Sequence, residues 1–62
     1  MPMFKVVVVC SGAVGDAVLT YRKVLATSSS VAAFRTCQKA GEHYPEYTDI
    51  RATRVEDDGC DR

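Results

Sequence analysis

Residues 4–11 have the sequence Phe-Lys-Val-Val-Val-Val-Cys-Ser, which contains four consecutive valines. Because β-branched side chains lose rotamer freedom in a helix and fit a pleated sheet well, this segment predicts a strand. Successive side chains of a strand point to opposite faces. One face then carries Phe4, Val6, Val8 and Cys10, and the other carries Val7 and Val9. Apolar residues on both faces are typical of a central strand.

Residues 12–16 predict a turn, and residues 17–27 then allow two interpretations. As a strand, the segment places Leu19, Tyr21 and Leu25 on one face. As a helix, it places Asp16 at the cap. The apolar stripe of that helix is Ala17, Val18, Tyr21, Val24 and Leu25. The β-branched and aromatic content favours the strand.

The following segment has the periodicity of an amphipathic helix, with capping hydroxyls at residues 27–30. We expect Gly41 and Pro45 to end it. One side carries Ala33, Phe34, Cys37, Ala40, Gly41 and Tyr44, and the other carries Arg35, Thr36, Lys39, Glu42 and His43. With the first side facing a sheet, Phe34 is the expected core anchor of the helix.

Residues 47–55 predict a third strand with Ile50 and Ala52 on one face, followed by an acidic tail at residues 56–62. The element order is β-β-α-β. A hairpin followed by a helical crossover places the third strand beside the first, which gives the strand order 2-1-3 with antiparallel neighbours. We therefore predict an α+β fold: a three-stranded antiparallel sheet with one helix on one face. Residues 1–55 form its single domain.

A chain of 62 residues has room for one small core. Such a core supplies only ~3–5 kcal/mol of net stability, and partners often supplement it. An active-site pocket usually needs several hundred Å³, which a core this thin can hardly enclose. Size therefore favours a binding protein over an enzyme, and we expect no cofactor.

Formal net charge is zero, but residues 1–41 carry +4 and residues 42–62 carry −4. This charge asymmetry can orient the protein as it approaches a partner. The chain lacks the overall positive potential of a nucleic-acid-binding protein, so we do not expect nucleic acid as a partner. The longest apolar run, residues 6–10, is too short to span a membrane, and no secretory signal is recognisable. Three cysteines without paired spacing fit a reducing cytoplasm.

The glycine-rich segment at residues 10–17 is similar to the phosphate loop of Ras-like GTPases. That loop requires the pattern G-x-x-x-x-G-K-[ST]. Here Cys10 replaces the first glycine, Asp16 the lysine and Ala17 the hydroxyl residue. Asp16 would bring negative charge to a triphosphate, so a hairpin turn is the favoured interpretation and a degenerate nucleotide site the lesser alternative.

Cys10, Cys37, Cys60 and His43 supply the ligand types of a zinc site, but no two of them have knuckle spacing. Free cysteine is usually a buried packing residue. Cys37 and His43 lie on different sides of the predicted helix, which disfavours a Cys–His nucleophile. We predict neither a catalytic nor a metal site.

Three pairs of residues are candidates for contacting a partner: Val7 and Val9, Arg35 and Lys39, and Arg51 and Arg54. One helix covers only one face of the sheet, so either the Val7 face or the Val6 face is left exposed. Arginine is enriched at interfaces. The competing interpretations are a solvated helix face for the second pair and edge-strand protection for the third.

Residues 24–27 (Val-Leu-Ala-Thr), the predicted helix and residues 47–55 (Tyr-Thr-Asp-Ile-Arg-Ala-Thr-Arg-Val) follow the order strand–turn–strand–helix–strand. This pattern, over residues 19–55, resembles the short podophage inhibitors of host bacterial RNA polymerase. The resemblance implies one helix on a three-stranded antiparallel sheet and last-strand arginines that bind the polymerase. The first arginine falls on Arg54 and the second on Glu56, which has the opposite charge. The family's helix is acidic, whereas this one carries Arg35 and Lys39.

We therefore expect a phage or mobile-element protein in the bacterial cytoplasm that binds and inhibits a host factor, either RNA polymerase or a defence complex. The alternative is a self-assembling homodimer in which Val7 and Val9 are buried between two copies through the open sheet face.

Overall fold

The computed structural model describes residues 2–58, which form three strands and one helix. The elements in chain order are β1 (Met3–Gly12), β2 (Gly15–Leu25), α1 (Ser29–His43) and β3 (Tyr47–Asp57). β1 is the central strand and pairs antiparallel with both neighbours, so the strand order is β2-β1-β3. The predicted α+β class, element order and strand order are confirmed, and residues 17–25 belong to a strand.

A tight hairpin joins β1 to β2, with Gly12 paired to Gly15. Gly15 has a φ of 122°, a conformation that other residues rarely adopt. A Cβ atom at Gly12 would lie only 2.7 Å from the Glu46 carbonyl oxygen, because the chain entering β3 passes close to this end of β1. The glycine-rich segment is thus a hairpin between two strands, whereas a phosphate loop leads into a helix.

A β-bulge interrupts β2 where Arg22 and Lys23 lie opposite Lys5. Lys23 has a φ of 54°, in the left-handed region. The extra residue reverses the alternation of side chains, so Val24 packs on the core while Leu25 is 52% exposed. The prediction that Leu25 shares a face with Leu19 and Tyr21 is therefore wrong, since those two pack against the core.

The core consists of small side chains. Val6, Val8 and Cys10 of β1 are fully buried beneath α1, together with Ala26, Ala32 and Ala40. Val7 and Val9 lie on the opposite face of the sheet and are half-buried. The predicted division of β1 into two faces is confirmed.

Helix α1 begins at its cap residue Ser28, whose hydroxyl accepts a hydrogen bond from the Val31 N–H at 3.3 Å. It ends where the Tyr44 N–H donates to the Ala40 carbonyl at 2.8 Å. The helix therefore continues past Gly41, which was expected to help end it. A Cβ atom at Gly41 would contact only the Ile50 side chain, at 3.7 Å.

The face of α1 that meets the sheet differs from the predicted one. Its buried residues are Ala32, Thr36 and Ala40, whereas Phe34 is 68% exposed. Residues four apart share one side of a helix, and these three small side chains let α1 approach the sheet closely. The predictions that Phe34 anchors the helix and that Thr36 is exposed are wrong, because the space beneath α1 suits small residues.

We expect Phe34→Ala to change the free energy of unfolding by less than about 0.5 kcal/mol, because the ring lies mostly in water. Alanine is also the better helix former. Urea denaturation of the two proteins measures the difference. A loss of several kcal/mol would mean that the ring is buried.

Strand β3 reaches Asp57, two residues beyond the predicted end at Val55. The Asp58 N–H then donates to the Met3 carbonyl at 2.9 Å, so the two ends of the described chain meet. The rest of the predicted acidic tail, residues 59–62, lies outside the described residues. Within residues 2–58 no helix has the length and apolarity needed to cross a bilayer.

Candidate protein-binding surface

The open face is the side of the sheet that α1 does not cover. Here Val9 of β1 lies between Val18 of β2 and Arg51 of β3. In the next row along the strands, Val7 lies between Thr20 and Arg54. Directly paired residues point to the same face, so the valines and arginines form adjacent columns.

The valine patch consists of Val7, Val9 and Val18. Val18, on the edge strand, is 65% exposed, and the other two are half-buried. Valines on a covered face would be fully buried, as Val6 and Val8 are. The patch is thus the apolar centre of the open face, and exposed apolar groups of this kind favour contact with another molecule.

Ion pairs flank the valine patch along β3. Arg54 Nε lies 2.6 Å from Glu56 Oε2, and Arg51 Nη2 lies 3.6 Å from Asp49 Oδ2. Lys5 Nζ approaches the other oxygen of Glu56 at 3.5 Å. Both arginine side chains remain about 70% exposed, so these pairs contribute little to stability and can exchange for acidic groups of a partner.

The six predicted contact residues do not form one surface. Val7, Val9, Arg51 and Arg54 come together on the open face. Arg35 and Lys39 lie on α1, across the sheet, where they line a cleft beside β2. A partner that covers the open face therefore does not reach the two helix residues.

Val18 is the member of the patch that was not among the predicted contact residues. Its place follows from the hairpin: once Gly12 pairs with Gly15, counting back along both strands brings Val9 opposite Val18. The uncertainty between strand and helix for residues 17–27 concealed this signal.

Comparison of the chain with protein-family models, with curated proteins and with solved structures finds no match.

The potential metal ligands do not converge among the described residues. Cys10 is buried beneath α1, Cys37 is half-buried on the helix, and His43 lies in its last turn with its ring edge against Tyr44. Within residues 2–58 no group of three such side chains could hold a metal ion. Cys60 lies outside that range.

Burial raises the pKa of the Cys10 thiol above its ordinary value of 9.0, and the nearby Cys37 adds to the shift. Burial also raises the pKa of Tyr21 above 10.0, with smaller contributions from Tyr44 and Cys10. Both groups hold their protons more firmly in the folded chain than in the unfolded one. The Cys10 thiol is therefore a poor nucleophile and acts as a core residue.

We expect the protein to lose stability as the pH rises above about 9, since the folded state then binds more protons than the unfolded state. Below that pH, Cys10 and Tyr21 are protonated in both states, and their full contribution to the free energy of unfolding is present. Urea midpoints measured from neutral to alkaline pH test this expectation. Cys10→Ala should delay the onset to the range where Tyr21 titrates, and a midpoint that stays constant through this range in both proteins would contradict it.

Proposed function

We propose that the protein is a small non-enzymatic binding module that docks another protein through its open face. The observation that carries this proposal is the valine patch with Arg51 and Arg54 beside it. An apolar centre with a charged rim is the usual anatomy of a protein–protein interface. The rim supplies steering and specificity more than affinity.

A different protein fits the open face better than a second copy of the chain. An obligate homodimer buries at least about 1,000 Å² per copy. That is about a quarter of the 4128 Å² surface of this chain, whereas the valine patch offers three small side chains. Transient contacts between different proteins bury less than about 600 Å² per partner, and the valine patch fits a contact of that size.

The partner that we propose is a host bacterial protein, with the chain acting as a phage or mobile-element inhibitor of RNA polymerase or a defence complex. The resemblance to the podophage inhibitors supports this, and so does an arginine of β3 at the rim of the open face. Glu56, which replaces the second arginine of that family, lies against Arg54 and lowers the local positive charge. Arg51 is therefore the basic residue that we expect to contribute most.

Purified bacterial RNA polymerase, applied to the immobilised protein, tests the proposal. We expect binding by the native chain and loss of binding in Val9→Lys, with an unchanged circular dichroism spectrum. Phe34→Lys is the matched control, since it adds the same charge at an exposed apolar residue on the far side of α1. Binding that survives Val9→Lys, or is lost equally in Phe34→Lys, would exclude the open face.

Sedimentation across a range of protein concentrations separates the two candidate partners. We expect a monomer throughout. A dimer that Val9→Lys dissociates, together with no binding to the polymerase, would favour the self-assembling module instead.

A further inference from the structure

A cleft separates α1 from β2, on the opposite side of the sheet from the open face. It forms because the helix packs mainly over β1 and β3 and contacts β2 little. Its volume is about 330 Å³. The residues that line it are Tyr21, Arg22, Lys23, Val24, Leu25, Arg35, Thr36 and Lys39.

The helix side of the cleft is basic. Half of its lining residues are arginine or lysine, and none is acidic. Arg35 and Lys39 are one helical turn apart, where like charges repel. Within residues 2–58 none of the basic lining side chains forms a salt bridge, although Lys5, Arg51 and Arg54 on the open face all do. Arg22 and Lys23 lie opposite Lys5 of the open face, so the positive charge directed toward the cleft is that of Arg35 and Lys39, neither of which forms a salt bridge within residues 2–58.

Thr36 supplies an independent sign of a ligand. Its side chain is 2% exposed and lines the cleft between Arg35 and Lys39. Its hydroxyl has no hydrogen-bond partner in the part of the chain that the structure describes. Buried hydroxyls are nearly always satisfied, and a helical threonine usually bonds the carbonyl four residues earlier. The hydroxyl oxygen is inaccessible to solvent, so a ligand in the cleft becomes its partner once the Thr36 side chain rotates toward the cleft.

The backbone on the β2 side is also held in place. Lys23 keeps its left-handed conformation while its N–H donates to Asp58 Oδ2 at 2.7 Å. On the helix side, Arg35 Nη1 donates to the Leu25 carbonyl at 3.3 Å, which holds the guanidinium at the edge of the cleft. Asp58 is the one carboxylate in these contacts, and it binds a backbone amide. Strained backbone that the surroundings fix in this way is typical of ligand sites.

We propose that this cleft binds the phosphate group of a small phosphorylated molecule. Arg35 presents a fork of donors and Lys39 a point charge, which together suit an anion with three or more oxygens. Rotation of the Thr36 side chain toward the cleft would let its hydroxyl donate to a third oxygen, and Tyr21 also lines the cleft. The volume matches a compact ligand. A nucleic-acid strand would need a longer basic track than this isolated cleft.

Titration of the ¹⁵N-labelled protein with inorganic pyrophosphate at constant ionic strength tests the proposal. We expect saturable shifts of the amide signals of residues 21–25 and 35–39 and little change at the open face. Each of Arg35→Gln and Lys39→Gln should weaken binding about tenfold, as loss of one hydrogen bond to a charged group implies. Arg51→Gln removes the same charge on the open face and should change the affinity by less than about twofold.

Thr36→Val separates a binding role from a structural one. Because it removes a buried hydroxyl without changing the side-chain volume much, we expect a higher Tm together with at least about tenfold weaker pyrophosphate binding. Thr36→Ser keeps the hydroxyl and should retain the affinity. Unchanged binding in Thr36→Val, shifts spread over the whole protein, or an effect of Arg51→Gln equal to that of Arg35→Gln would overturn the proposal. So would tighter binding of a short single-stranded oligonucleotide than of pyrophosphate.

Discussion

We expect Val8→Lys to leave the chain unfolded at room temperature, whereas Val9→Lys leaves it folded. Val8 is fully buried beneath α1, and Val9 is half-exposed on the open face. Burying an ammonium group without a partner costs several kcal/mol, as much as the ~3–5 kcal/mol that a core of this size supplies. At Val9 the lysine stem can lie along the sheet while its charge reaches water.

Circular dichroism and urea denaturation of both variants measure this contrast. The two substitutions are one residue apart in the same central strand, so their effects on strand propensity are nearly equal and only the face differs. Two folded variants would mean that α1 does not seal the core above Val8. Two unfolded variants would mean that the open face is also covered, and the proposed docking surface would then be excluded.

We expect Gly12→Ala to destabilise the protein by about 1–3 kcal/mol, as forced overpacking does. The added methyl group would lie 2.7 Å from the Glu46 carbonyl oxygen and 3.1 Å from Tyr47 Cα. Both are backbone atoms at the start of β3, so the whole connection from α1 must shift to make room. A flexible side chain could move aside at little cost, but backbone cannot.

Gly41→Ala is the control for this substitution. Its methyl group would meet Ile50 Cδ1 at 3.7 Å, an ordinary contact. Since glycine inside a helix is unfavourable relative to alanine, we expect Gly41→Ala to stabilise the protein by about 0.5–1 kcal/mol. Urea denaturation gives both values. Equal effects at the two glycines would show that β3 does not pass as close to Gly12 as the structure places it.

The architecture was predictable from the sequence because its signals are local and strong. The valine run could form only a strand, and its alternation fixed the faces of β1 without knowledge of its neighbours. The known preferences of chain connections then left one strand order for a hairpin that is followed by a crossover helix. Strand order therefore followed from the element order alone.

The predictions that were wrong concern features that depend on tertiary contacts. Phe34 was assigned to the core because it is the largest apolar residue of the helix, yet the helix–sheet distance suits Ala32 and Ala40. Leu25 was misplaced because the bulge at Lys23 has no sequence signature: lysine has no preference for a positive φ. Packing between the helix and the sheet determines which face of a helix is buried and where a strand bulges. The sequence of a single segment does not contain that information.

The candidate surface was predictable in part for the same reason. Alternation gave Val7 and Val9, but joining them to Arg51 required the register between β1 and β3, which contains two irregularities. Thr36 was hidden because polar residues at helix positions are expected to face water. Its burial becomes informative only beside the basic residues of the cleft.

The meeting of Met3 with Asp58 has a consequence for how the protein can be attached to other molecules. Both ends of the described chain leave the same end of a body 42 Å long, and the Val14 hairpin lies at the other. A label or surface linked to either end therefore leaves the hairpin free. The segment from residue 2 to residue 58 could also be inserted into an exposed loop of a carrier protein, since so short a gap costs little closure entropy.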